Sequence, residues 1–118
     1  VAQTPEGKVK DWLVRYILKY FPDAWIYKAP AGRYGRKGVP DLLCSIKGIF
    51  VAIEVKADNG TLSQYQDYEI KKLDKSEALT LVIYGKDEAK LRCSLRRVLS
   101  YYKGDRISWP SGCDKDNT

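Results

Sequence analysis

The sequence contains no histidine. That absence removes Ser-His-Asp triads, HNH-type nucleases, zinc hydrolases with imidazole ligands, and all general acid or base chemistry on an imidazole ring. Cysteine is scarce. Cys44, Cys93 and Cys113 lie far apart with no C-x-x-C pair, which supports neither a zinc ribbon nor a thioredoxin-type centre. No apolar run approaches the ~20 residues of a membrane span. No signal peptide is expected at the start, and there is no internal repeat or low-complexity block. Carboxylates, lysine, tyrosine and cysteine remain as the candidates for chemistry. Cys44 alternates with Leu42 and Ile46 and reads as a small buried hydrophobe. The thiols are expected to be reduced, in the cytoplasm and with no membrane partner.

The chain has 118 residues, 44% of them hydrophobic and 31% charged. These values fit one folded domain, expected over residues 1–110 with a polar tail at 111–118. Twenty-one basic residues against fifteen acidic ones give a net charge of +6. That surplus suits a polyanion, although a solvated basic surface explains it equally well.

Two aliphatic runs, 39–46 and 49–56, are joined by Lys47-Gly48, the pattern of a tight antiparallel hairpin. With a two-residue loop Ile46 faces Ile49, Leu42 faces Ile53 and Asp41 faces Glu54. Directly opposed side chains share one face with Cβ atoms about 4.5–5.5 Å apart, and like charges so placed repel. Lys56, two residues beyond Glu54, joins the same face. A cation would offset the repulsion, and a hard divalent ion takes carboxylate and carbonyl oxygens.

Pro40-Asp41 followed by Glu54-Val55-Lys56 resembles the PD-(D/E)xK motif of the restriction-endonuclease-like nucleases. Gly38-Val39-Pro40-Asp41, with Gln66 ten residues past the lysine, is similar to the VRR-NUC (virus-type replication-repair nuclease) branch. The resemblance runs from about Glu6 to Tyr84. It implies a bound Mg²⁺ or Mn²⁺ held by Asp41, Glu54 and the Val55 carbonyl, with Lys56 acting on the attacking water.

Earlier in the chain, Thr4-Pro5 is a helix start, and Val9, Trp12, Leu13, Tyr16, Ile17 and Tyr20 recur at helical spacing. Glu6 falls on that stripe. It reads either as a first-turn carboxylate favoured by the helix dipole or as an outer acidic residue of the metal site; the resemblance implies the second. Lys8 and Lys10 on this helix are candidate DNA contacts. Trp25 to Ala29 reads as a short strand. The stretch 31–38 holds three glycines, with Arg33, Arg36 and Lys37 as candidate phosphate contacts; a solvated turn is the other reading. Ser63-x-x-Gln66 is a capping box, so Gln66 is either a cap or, as the resemblance implies, a neighbour of the active site. A strand follows from Ala78 to Tyr84. A helix begins near Asp87, with Leu91, Leu95, Val98, Leu99 and Tyr102 on one face. Arg92, Arg96 and Arg97 lie mostly off that face, as a solvated surface or a second DNA contact.

The expected fold is α/β in the order α-β-β-β-α-β-α: a restriction-endonuclease-like core with a mixed central sheet flanked by helices. The expected function is metal-dependent hydrolysis of DNA phosphodiester bonds. The expected substrate is branched or Holliday-junction DNA, cut by a homodimer in a bacterium or a phage-infected host cell. Cleavage of flapped or linear DNA and a non-catalytic nucleic-acid-binding module on the same fold are the alternatives.

Overall fold

A computed structural model describes residues 3–30 and 35–101. The elements run α1 (Pro5–Tyr20), β1 (Trp25–Lys28), β2 (Leu42–Ile46), β3 (Ile49–Lys56), α2 (Gln64–Lys75), β4 (Leu79–Tyr84) and α3 (Glu88–Tyr101). That is the order expected from the sequence. Arg33, Tyr102, Cys113 and the tail at 111–118 lie outside the described residues.

The sheet has the order β1-β2-β3-β4; its first two pairings are antiparallel and β3–β4 is parallel. The hairpin has the register read from its loop, with Ile46 opposite Ile49 and Leu42 opposite Ile53. Lys47 and Gly48 both take positive φ, 54° and 81°, the conformation of a two-residue turn whose twist matches the strands.

Alternation along the strands sends Leu42, Cys44, Ile46, Val51, Ile53, Val55, Leu81 and Ile83 to one face. There they form the core with Val9, Leu13 and Ile17 of α1 and Leu91, Leu95 and Val98 of α3. The opposite face carries Glu54 and Thr80. α2 lies on that side: Gln66 reaches Glu54, and Thr80 donates a hydrogen bond to Asp74. The site residues therefore sit between the sheet and α2.

Helix caps explain where α1 and α2 begin. The Thr4 hydroxyl accepts from the Gly7 N–H, and Ser63 with Gln66 closes a reciprocal capping box. Arg92 departs from the expected solvated face: it is half-buried and paired with Glu88 one turn earlier. Cys44 is free and buried as expected, whereas Cys93 is disulfide-bonded, contrary to the expectation of reduced thiols throughout.

Candidate active site

Asp41 lies just before β2, and continuing the hairpin register by one residue sets it against Glu54. Its carboxylate is fixed from two sides. Oδ2 accepts the Val55 N–H at 2.8 Å, and Oδ1 lies 3.3 Å from Lys10 Nζ. A strand residue directs its N–H and C=O to the same edge, so the Val55 carbonyl faces the edge where Asp41 sits.

Glu54 is only 2% exposed. Oε2 accepts from Gln66 Nε2 at 3.0 Å and lies 3.7 Å from Lys56 Nζ. Oε1 is buried, and no donor group among the described residues reaches it. Burial pushes the Glu54 carboxyl up to about 8; the Asp41 charge and a side-chain hydrogen bond between the two carboxyl groups push the same way, Lys56 pulls it down, and Glu6 adds to the rise. The two groups satisfy each other only while they share a proton, and once both are ionised Oε1 has no donor.

Gln66 fills both of the roles open to it. Its Oε1 accepts the Ser63 N–H at 2.9 Å while its Nε2 donates to Glu54. Only this orientation of the amide satisfies both ends, so cap and site contact are one device.

The remaining candidates are placed as follows. Glu6 is half-buried on α1 and acts on Glu54 through space. Among the described residues, however, no three carboxylate or thiol groups converge on one metal position. Lys8 is exposed on α1. Arg36 makes a two-pronged ion pair with Glu69 of α2, and Lys37 lies over the Tyr65 ring, 5.0 Å from its centroid. The structure thus brings Asp41, Glu54, Lys56, Gln66 and Lys10 together and holds Arg36 and Lys37 on α2. Burial pushes the Cys44 thiol up to about 12, which removes it as a nucleophile near neutral pH.

Glu69 was not among the residues singled out from the sequence. It is buried on α2 and anchors the segment leading into Asp41. Its signal was faint: a carboxylate three residues after Gln66 and therefore on the same helical face.

The donor set fits a hard divalent cation. Asp41, Glu54 Oε1 and the Val55 carbonyl offer oxygen ligands, with the two carboxylates held at one end of the central β2–β3 pair. Clefts such as one of about 540 Å³ between β4 and α3 lie elsewhere.

Among solved structures, the chain is similar to one described as a VRR_NUC domain, with a TM-score of 0.63 and 24% identity over 85% of this chain and 100% of that one. It is also similar to a VRR_NUC domain protein, with a TM-score of 0.58 and 21% identity over 86% of this chain and 90% of that one. The chain has the VRR_NUC fold. No family model and no curated protein matches it. In this VRR_NUC fold the motif residues quoted from the sequence occupy the hairpin and the first turn of α2, around one buried carboxylate. No helix among the described residues is long and apolar enough to cross a membrane.

Proposed function

We propose that this protein is a VRR-NUC-type, metal-dependent endonuclease that hydrolyses DNA phosphodiester bonds at Asp41 and Glu54. The observation that carries the reading is the Glu54 carboxyl, buried against Asp41 with no donor group at Oε1. A non-catalytic binding module would have no use for two carboxyl groups buried against each other. The similarity to VRR_NUC domains supports the same reading.

Asp41, Glu54 and the Val55 carbonyl would hold Mg²⁺ or Mn²⁺, with Glu6 as an outer acidic residue. Such an ion, when bound, lowers the pKa of water and neutralises developing phosphate charge. The chain's own residues do the positioning. The Val55 N–H fixes one Asp41 oxygen, and Gln66 fixes one Glu54 oxygen, which leaves Glu54 Oε1 available to an ion. Lys56, held beside Glu54, orients the attacking water and stabilises charge on the phosphate oxygens. Lys10 reaches the same point from α1 and is placed to meet a phosphate. Lys8 and Lys37, both exposed, extend the cationic surface, while Arg36 is held by Glu69. Each centre cuts one strand, so paired cuts in branched DNA require a homodimer.

The test is incubation with linear, flapped and four-way-junction DNA in Mg²⁺, Mn²⁺ or EDTA. Cleavage in either metal and none in EDTA is expected, with the junction cut best and in pairs. Metal-independent cleavage, or none on any DNA, would overturn the proposal. Cleavage of flapped or linear DNA alone would remove only the junction assignment.

A further inference from the structure

On the face of the sheet that carries Glu54, α2 lies over β3 and β4. Towards β1 the same face stays open among the described residues, and it is aromatic. Trp25 and Tyr27 are 61% and 44% exposed, and Phe50 is 43% exposed. Phe50 shares a cross-strand row with Trp25 through Ser45, and Tyr27 lies in the next row with Leu43 and Ala52. The Trp25 and Tyr27 ring planes lie within 5° of parallel, with centroids 6.0 Å apart. At ~3.3 Å per residue, the Tyr27 row lies about 7 Å along the strands from the Glu54 row, and the Trp25 row about 13 Å. Beyond Trp25 the line enters a cleft of about 440 Å³ lined by Tyr20, Phe21, Pro22 and Lys47.

Single exposed aromatics need no explanation, but a stacked pair on an open sheet face, with a third exposed ring two strands away, does. A second copy of the chain is a poor fit as the occupant. Three half-exposed rings offer on the order of 300 Å², well short of the ~800 Å² per partner of a stable interface. A nucleic-acid strand fits better. Unpaired bases stack on aromatic rings whatever their sequence, and the net charge of +6 favours the polyanion.

We propose that Trp25 and Tyr27, with Phe50 two strands away on the same face, form a stacking platform for the unpaired bases of a single DNA strand extending from the Asp41–Glu54 site. This deepens the nuclease reading and rests on it for the strand's direction, but the stacking itself requires no cleavage. It implies that bases left unpaired beside the cut, as at the branch point of a junction, are held by stacking.

The test is binding of a labelled oligothymidylate and of a blunt duplex, followed by fluorescence anisotropy in EDTA. The proteins are the wild type, the W25A/Y27A double variant and the W25F/Y27F double variant. Oligothymidylate affinity is expected to fall at least about tenfold in the alanine variant, to survive within about threefold in the phenylalanine variant, and blunt-duplex affinity to stay unchanged. Wild-type oligothymidylate binding by the alanine variant overturns the proposal, as does an equal loss on both ligands. A wild-type dimer that the alanine variant breaks, with oligothymidylate binding intact, overturns it in favour of a self-interface. Failure to cut any DNA, combined with aromatic-dependent oligothymidylate binding, would remove the nuclease reading and keep the platform.

Discussion

At the scale of single residues, Glu54 is the side chain whose surroundings are hardest to explain without a ligand. It is buried against Asp41, with which it makes a side-chain hydrogen bond, and no donor group reaches its Oε1; its carboxyl is pushed up to about 8 from an ordinary 4.5. The consequence for stability has a definite sign. Between those two values the folded, metal-free protein keeps a proton that the unfolded chain has released, so stability falls as pH rises through that window. Melting followed in EDTA from pH 5 to pH 8 should show this fall in the wild type and a flatter curve in Glu54→Gln. A fall of the same size in both proteins would place the titration elsewhere. Gln66 gives a second test at this scale. Gln66→Glu keeps an acceptor for the Ser63 N–H but sets a charge against Glu54. DNA cleavage should drop at least about tenfold, while a cap retained in this way shifts stability by no more than about 1 kcal/mol. Equal, small changes in both would reduce Gln66 to a cap.

At the scale of elements, the hairpin was legible because a two-residue Lys47-Gly48 loop admits one register, and the register alone opposes Asp41 and Glu54. Capping was legible for the same local reason: Thr4-Pro5 and Ser63-x-x-Gln66 act within a single turn. The anchoring of the segment before Asp41 was not legible. Arg36 and Glu69 are far apart in sequence, and only the packing of this segment on α2 brings them together. The glycine in Gly38-Val39-Pro40-Asp41 has its reason in the same packing. Gly38 has φ +84°, and a Cβ there would run into the Tyr65 carbonyl and the Gln66 N–H. Gly38→Ala combines positive-φ strain with a backbone collision and should destabilise the fold by about 2 kcal/mol or more, as measured by urea denaturation. An unchanged midpoint would show that this segment does not pack on α2.

At the scale of the whole molecule, the cationic surplus, read from composition, does not divide evenly among its lysines and arginines. Arg36 is committed to Glu69, Lys10 to Asp41 and Lys56 to Glu54; Lys8 is exposed on α1 without an ion pair among the described residues. Lys8→Ala should flatten the salt dependence of DNA binding by about one unit of slope. Arg36→Ala should flatten it less and weaken the fold more. The reverse order would show that Arg36 leaves Glu69 for phosphate. The exposure of Trp25 and Tyr27 was invisible in composition because strand alternation assigns residues to faces without showing which face a helix covers. All of these features converge on the Asp41–Glu54 carboxylate pair, so the most direct measurement is calorimetric titration of Mn²⁺ into the wild type and Glu54→Gln near pH 8. Saturable binding in the wild type that is lost in the variant, with the variant still folded, is the predicted result. Binding of equal strength in both proteins would contradict a metal site built on Asp41 and Glu54.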